Sequence, residues 1–176
     1  MPYWENDPSE NLYMEVTGRA NIGDRILAPM AKSGGGAAFN LAQLISVGDK
    51  VIHYDSGIRA IVLVSRVAAE PVFQEFDWIS PNAGQKAGRH HGVGIELGDQ
   101  VEVNPPVTLD AIKLQKASIF AIRRQIETTA GKGQPLYFPW IDYSGALRTA
   151  LPYLAKFPRA ALDLFPDLRM AVDSLG

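Results

Sequence analysis

Four aromatic residues, Tyr3, Trp4, Tyr54 and Trp78, are the side chains of this chain best suited to holding a flat ligand. They lie near the ends of predicted strands or within a long polar stretch. A pocket for a planar heterocycle needs ring faces for stacking and a few hydrogen-bonding groups around its edge. Burial in the core is the competing interpretation for each ring, and Trp78, which has polar neighbours, fits that interpretation least well.

Two polar residues follow Tyr54 directly and can supply such edge groups. Asp55 and Ser56 lie in a turn with Gly57. Turn formation alone also accounts for the aspartate, because Asp bonds its own backbone in turns. We therefore expect an aromatic ring, a carboxylate and a hydroxyl at the rim of the element that carries this turn.

Cationic residues form a third group. Residues 86–91 read KAGRHH and include Lys86, Arg89 and His90, while Lys32 lies in a glycine-rich segment, KSGGG. Such groups can follow a phosphate backbone. Charges that only keep an exposed loop solvated explain the same pattern equally well, so both interpretations stand.

Enzyme signatures are absent from the sequence. It has no cysteine, which excludes disulfides, thiolate metal sites and cysteine nucleophiles, and no Walker A, HExxH or GxSxG pattern. His90 and His91 are adjacent and would point to opposite faces of a strand, which is unsuited to metal chelation. His53 is expected to be a satisfied core or rim histidine. We therefore expect no catalytic residues, no metal and no cofactor.

Composition bounds the class of protein. The chain has 176 residues, a formal net charge of −2 and 47% hydrophobic residues, as expected of one globular domain over residues 1–176. The negative charge leaves any nucleic-acid contact to a local patch. The acidic first ten residues do not read as a signal peptide, and no apolar run reaches about 18 residues, so we expect a cytoplasmic protein without a membrane segment.

The turn at residues 55–57 must be carried by a pair of strands. Residues 51–54 and 59–67 read as those strands, with a Gly-Asp turn before them and Pro71 after them. The second strand contains the apolar run IVLV at 61–64, which is too continuous for a sheet with one wet face. We expect that strand to be buried on both sides, as in a small closed barrel.

The other elements before residue 108 are predicted from periodicity and turn residues. The stretch 73–92 has no clear period and reads as a long irregular loop. The expected elements are short strands at 1–6 and 25–29, a short strand or a helical turn at 13–16, a helix over 37–45, and a strand over 93–103 with a bulge at Gly98.

A mostly helical part is expected over residues 108–176. Thr108 is predicted to cap a helix over 109–128, in one piece or in two. Residues 136–141, LYFPWI, read as extended. Two short helices over 143–154 and 158–175 are expected to pack on the barrel.

The order of several short motifs resembles the EVE domain, a member of the PUA-like superfamily. The motifs are Tyr3-Trp4-x-Asn6, Gly48-Asp49, Tyr54, Arg59-Ala60-Ile61 and Glu70-Pro71. The segment Phe138-Pro139-Trp140 and the C-terminal tail resemble the N-terminal modules of modification-dependent HNH restriction endonucleases. The core of the resemblance covers residues 1–107.

The resemblance implies an α+β fold, with a small PUA-like β-barrel flanked by helices. It implies a non-catalytic reader that flips a modified base, 5-methylcytosine or a related mark, out of double-stranded DNA. It also implies two partners, the DNA that carries the modified base and an HNH nuclease domain. The sequence itself shows no HNH nuclease residues. The base-binding residues it implies are Tyr3, Trp4, Asn6, Pro29, Tyr54, Asp55 and Ser56. Ser33 and Trp78 complete the candidate base-binding set, and the candidate phosphate contacts are Lys32, Lys86, Arg89 and His90.

One departure from the resemblance affects the expected pocket. Relatives often carry a tryptophan shortly before the proline that corresponds to Pro29, where this chain has Leu27-Ala28. Trp78 is the sequence-level candidate for the missing wall. Three other functions stay open on sequence grounds: a PUA-like RNA-binding module, an enzyme acting on a small nucleotide with Asp55 or His53 as base, and an interaction domain whose aromatic rings are all buried.

Overall fold

The computed structural model describes residues 2–31, 34–78, 88–150 and 152–176. In these ranges the strands are β1 Leu12–Thr17, β2 Arg25–Pro29, β3 Lys50–Asp55, β4 Ala60–Val67, β5 Val72–Trp78, β6 Gly88–Thr108, β7 Trp140–Tyr143, β8 Ala146–Thr149 and β9 Leu154–Lys156. The helices are α1 Ala37–Ala42, α2 Leu109–Leu114, α3 Lys116–Ala130, a 3-10 helix at Arg159–Leu164, and α4 Pro166–Ser174. None of these helices is long and apolar enough to cross a membrane.

Seven of the described strands form one curled sheet, in the order β2-β6-β4-β3-β1-β9, with β5 also paired to β6. The strand β6 is 21 residues long and antiparallel to all three of its partners. Its first part lies between β2 and β5, and its second part pairs with β4. The strands β4 and β5 are therefore successive halves of one long partner of β6.

The sheet carries helices on both faces. On one face, α1 packs over Ile26, Val51, Val67 and Ile95 in what we call the α1-side core. On the other face, α2, α3, α4, the 3-10 helix and the β7–β8 hairpin cover the α3-side core, whose members include Ile52. This arrangement is α+β and consistent with a PUA-like barrel flanked by helices, as predicted.

The predicted burial of the second strand on both sides is confirmed in β4. Ile61 and Val64 are fully buried in the α3-side core, whereas Val67 is fully buried in the α1-side core. The predicted bulge is confirmed too, because Gly98 and Asp99 of β6 lie opposite the single residue Arg66 of β4.

The long helix predicted after Thr108 is divided in two. The Thr108 hydroxyl oxygen accepts the backbone N–H of Ala111 at 3.2 Å, so the predicted cap is confirmed. The break falls at Gln115, between α2 and α3. Ile112 and Ile119, one on each piece, are fully buried in the α3-side core and hold both pieces against the sheet.

Three sequence predictions need correction. Residues 3–6 form turns instead of a first strand, with Asp7 N donating to Trp4 O at 3.0 Å. The stretch 73–92 is not irregular throughout, since it contains β5 and the start of β6. Residues 143–154 are not a helix: Ser144 and Gly145 have φ of 51° and 85°, which makes the tight hairpin turn between β7 and β8.

The C-terminal part, residues 108–176, supplies strands as well as helices. The strand β9 joins the main sheet through antiparallel pairing with β1, for example Met14 with Ala155. That one domain spans residues 1–176 stays a prediction, and this pairing of distant segments favours it.

Candidate functional site

The two edges of the curled sheet, β2 and β9, are joined by a side chain. Tyr153, which directly precedes β9, donates its hydroxyl to the carbonyl oxygen of Leu27 in β2 at 3.1 Å. The carbonyl of Tyr153 accepts the N–H of Val16 in β1 at 2.7 Å. We call the region between β2 and β9 the seam. Burial, reinforced by the nearby Glu15 carboxylate, raises the pKa of the Tyr153 phenol, so this bridge stays a neutral donor.

Trp78, the last residue of β5, lies against the seam. Its ring centroid is 5.4 Å from that of Tyr153, with 37° between the planes, and 6.4 Å from that of Phe76. Trp78 and Phe76 share one face of β5, because side chains alternate along a strand. The seam thus carries a continuous row of three rings.

A glycine in β6 makes room for this aromatic row. A Cβ atom on Gly92 would lie 2.3 Å from Ala28 O and 2.9 Å from the ring of Phe76. Any larger residue would clash with this carbonyl and this ring, so one of them would have to move. Phe76 is only 5% exposed, so it forms the fixed base of the row.

The indole N–H of Trp78 is a buried donor that no described residue satisfies. No acceptor lies within hydrogen-bond distance of its Nε1 atom among the described residues. A buried donor left unpaired costs roughly 1–3 kcal/mol. A ligand that brings an acceptor to this atom would recover that cost on binding.

The spacing of the Trp78 and Tyr153 rings decides how a planar ligand can bind. A centroid separation of 5.4 Å means that the rings contact each other. A base inserted between two rings needs them about 7 Å apart, since each layer takes about 3.5 Å. A planar ligand therefore cannot insert between these two rings unless they separate.

A second aromatic cluster lies on the α1 side of the sheet. Tyr3 and Trp4 meet edge to face at 4.9 Å, and Tyr137 meets Trp4 at 6.1 Å. Trp4 is 7% exposed and belongs to the α1-side core, which favours a packing role for its ring. The Tyr3 hydroxyl is buried with no hydrogen-bond partner in the described ranges, and burial raises its pKa.

Lys156 of β9 lies beneath this second cluster and is fully buried. Its ammonium is 5.4 Å from the Trp4 ring centroid and 4.2 Å from that of Tyr13. It donates to the carbonyl oxygens of Glu10 and Leu12, the latter at 3.0 Å. Burial lowers its pKa to about 8, because the ammonium loses its hydration.

We expect Lys156 to make stability rise with pH. Between its folded pKa of about 8 and its unfolded value near 10.5, the unfolded chain holds a proton that the folded chain has released. The free energy of unfolding therefore increases as pH rises through this window, by at most about 1.4 kcal/mol per pH unit. Urea unfolding at pH 7.5 and 9.5 checks this, with the isosteric Lys156→Met as control. Equal pH dependence in both proteins would contradict it.

A buried polar network lies between β1, β3 and β4. His53 Nδ1 is 2.7 Å from Glu15 Oε2, and His53 Nε2 is 2.9 Å from Ser65 Oγ. Arg19 binds the Glu15 carboxylate with both terminal nitrogens. Glu15, His53 and Ser65 are at most 1% exposed. This confirms the prediction of a satisfied core histidine.

The order serine, histidine, carboxylate matches that of a hydrolase triad, but the setting does not. Ser65 is fully buried in the middle of β4. A nucleophile needs a substrate carbonyl within reach and donors placed for an oxyanion. With its hydroxyl sealed in the core, Ser65 meets neither need, so the network serves the fold.

No protein-family model and no curated protein matches the sequence. Among solved structures, the chain is similar to protein Atu2648 from Agrobacterium tumefaciens, with 11% identity and a TM-score of 0.39 over 91% of this chain and 92% of that one. It is also similar to the N-terminal domain of Staphylothermus marinus McrB, with 12% identity and a TM-score of 0.44 over 89% and 93% of the two chains.

Tyr54 does not lie with the other predicted base-binding aromatics. It is 3% exposed and packs in the α3-side core, whereas Trp4 packs in the α1-side core. The sheet separates the two rings, so they cannot line one pocket. The predicted position of Tyr54 at an open rim is corrected accordingly, and burial raises the pKa of its phenol.

Asp55 and Ser56 are engaged in the turn itself. The Asp55 carboxylate accepts the N–H of Gly57 at 2.8 Å, and the Ser56 hydroxyl donates to Thr17 O at 3.2 Å. The turn-chemistry interpretation of Asp55 is therefore confirmed.

The remaining predicted base contacts are spread out. Pro29 is buried at the end of β2, opposite Gly92, and so borders the seam. Asn6 is exposed in the N-terminal turns. Lys32, Ser33 and Lys86 lie outside the described residues.

The predicted phosphate contacts on β6 have acidic neighbours. Arg89, which is 60% exposed, lies 3.8 Å from a Glu75 oxygen and 3.6 Å from an Asp77 oxygen. His91 lies 3.3 Å from Glu75. His90 lies between these two residues on the same strand. The carboxylates of β5 offset the positive charge here, which weakens this strand pair as a phosphate surface.

Sequence reasoning missed Tyr153 and the Glu15–Arg19 pair. Tyr153 reaches Leu27 across 126 positions in the chain, and no local pattern marks such a contact. Glu15 and Arg19 are four residues apart, but they lie on and beyond a strand, so helical spacing does not apply. No group of His, Asp or Glu residues suited to a metal ion occurs within the described ranges.

Proposed function

We propose that this chain is a non-catalytic reader of a modified base in DNA, 5-methylcytosine or a related mark. The base, flipped out of the duplex, binds at the seam. One observation carries the proposal: the partly buried Trp78 ring lies against Tyr153 with an indole N–H that lacks an acceptor among the described residues. A ring face together with an unmet donor suits a nucleobase, which has a flat face and edge acceptors.

Several favourable contributions to the binding free energy are needed together to offset the cost of flipping a base. Extruding a base costs a few kcal/mol. Stacking on an aromatic side chain returns about 1–3 kcal/mol, and a hydrogen bond from Trp78 Nε1 contributes about 0.5–1.5 kcal/mol more. These terms roughly cancel the cost of flipping. Net affinity must then come from phosphate contacts, which carry most protein–DNA binding.

Discrimination between modified and unmodified bases is expected to be modest. A buried methyl group contributes about 0.8 kcal/mol, which corresponds to about a fourfold preference. A larger preference requires a tightly fitting wall around the methyl group. The Phe76–Trp78–Tyr153 row offers apolar ring surface for such a wall.

The proposal is tested with matched DNA duplexes at one fixed salt concentration. We expect a duplex carrying one 5-methylcytosine to bind at least about fourfold more tightly than the same duplex carrying cytosine. A 2-aminopurine beside the modified base should become brighter on binding, because flipping unstacks it. Equal affinity for both duplexes, or displacement of the modified duplex by a matched RNA duplex at lower concentration, would contradict the proposal.

A further inference from the structure

Positive charge is concentrated in a part of the chain that sequence reasoning did not assign to any ligand. Residues 109–150 contain six Lys or Arg and three Asp or Glu, whereas the rest of the chain contains 11 and 16. This region comprises α2, α3 and the β7–β8 hairpin. A protein with net charge −2 thus has a locally basic region over residues 109–150.

A groove runs between α3 and the β7–β8 hairpin within this basic region. Its volume is about 890 Å³, and its walls include Lys116, Phe120, Arg123, Arg124 and Ile141. Asp142 and Glu127 also border it, but each has a structural partner. Asp142 accepts the N–H of Gly145 in the hairpin turn, and Glu127 pairs with Arg123 at 2.9 Å.

Three cations at the groove have no carboxylate partner in the described part of the chain. Lys116 donates to the carbonyl of Gly145, and Arg124 is exposed on α3. Arg148 is paired across the hairpin with Ile141, which lines the groove, so Arg148 lies next to the groove wall. None of the three forms an ion pair there, so their charges are available to an anion.

Arg148 is held in a defined position. Its guanidinium lies 4.2 Å from the ring centroid of Tyr143, which is 56% exposed. Stacking on the ring leaves the N–H groups of a guanidinium free to donate in its plane. Arg148 therefore presents ordered donors of the kind that bind phosphate oxygens in pairs.

The groove and the aromatic clusters are linked by a short segment. Tyr137 contacts Trp4 of the second aromatic cluster, and the carbonyl of Trp140 accepts from Arg123 in the groove wall at 3.5 Å. Three residues span at most about 10 Å. Tyr137 and Tyr153 both pack against the α1-side core, so the second aromatic cluster and the seam share that core. One turn of duplex DNA covers about 34 Å, which exceeds the span of the segment between the second aromatic cluster and the groove.

We propose that the groove between α3 and the β7–β8 hairpin binds the phosphate backbone of the DNA whose base enters the seam. This inference rests on the proposed function. Lys116, Arg124 and Arg148 make the contacts, and they take the place of Arg89 and His90 as the principal phosphate-binding residues. The balanced charges around Arg89 and the unpaired charges around the groove favour this assignment.

The test is the salt dependence of DNA affinity in the double variant Arg124→Gln/Arg148→Gln. Each lost phosphate contact reduces the slope of log K against log salt by about 0.9. The double variant lacks two such contacts. When salt is raised from 50 to 200 mM, the affinity of the wild type should therefore fall about 12-fold more than the affinity of the variant. Both side chains are exposed, so thermal unfolding should be unchanged.

Arg89→Gln is the matched control, because it removes one exposed cation whose charge acidic neighbours offset. It should leave the slope nearly unchanged. A wild-type slope in the double variant, or a larger change in Arg89→Gln, would overturn the groove assignment. A reduced slope without any preference for the modified duplex would support the groove and contradict base reading. A preference for the modified duplex together with a wild-type slope would support base reading and contradict the groove assignment.

Discussion

Replacing Trp78 with alanine is expected to weaken binding of a modified duplex by roughly 10- to 100-fold. The change removes one ring of the pair at the proposed site, and stacking on an aromatic side chain contributes about 1–3 kcal/mol per base. It also removes the indole N–H that has no acceptor among the described residues. Fluorescence anisotropy with a labelled duplex at fixed salt measures the effect.

Two further variants separate the contributions of Trp78. Trp78→Phe keeps a ring but loses the N–H, so its loss should be limited to about 0.5–1.5 kcal/mol, or about 2- to 13-fold. Phe73→Ala is the control on the same strand, because Phe73 is 58% exposed and contacts Phe39 rather than the seam. If Trp78→Ala folds normally and binds as the wild type does, the seam is not the base site.

Removing the Glu15 carboxylate is expected to lower the free energy of unfolding substantially. Glu15 is 1% exposed and holds both His53 and Arg19. Glu15→Ala leaves these partners without their acceptor inside the sheet. Breaking a buried charge pair on one side costs about 3–5 kcal/mol, which urea unfolding monitored by circular dichroism measures.

The same network offers a test of its role. The triple variant Glu15→Met, His53→Leu and Ser65→Ala replaces the network as a unit. Of the network's groups it leaves only the partly exposed Arg19 without its partner, so it should be more stable than Glu15→Ala. Its DNA affinity should equal that of the wild type, because the network only supports the fold. Glu75→Ala, at an exposed ion pair, should change stability by less than about 0.5 kcal/mol. Loss of DNA binding in a stably folded triple variant would show that the network does more than support the fold.

The strand pair β3–β4 was predictable because its pattern is local. A continuous apolar run at 61–64 predicts a strand with cover on both faces, and in β4 the α3-side core buries Ile61 and Val64 while the α1-side core buries Val67. The Thr108 cap and the bulge at Gly98 were also predictable, since each depends on a residue whose chemistry acts within a few positions.

The elements that sequence reasoning misassigned depend on distant partners. Gly92 reads as a loop residue, yet its small size lets Phe76 pack across β6. Tyr3 and Trp4 read as strand residues, yet they fold over the α1-side core from turns. For the candidate site, Trp78 was found from its polar surroundings, whereas Tyr153 required the contact between β2 and the start of β9.

A double-mutant cycle between Trp78 and the methyl group of the target base measures the central claim most directly. Four affinities are needed, those of the wild type and of Trp78→Ala for duplexes carrying 5-methylcytosine and cytosine. We predict a preference of about fourfold or more for the methylated duplex in the wild type and a preference near one in the variant. The same preference in both proteins would show that the modified base is not read by Trp78 at the seam.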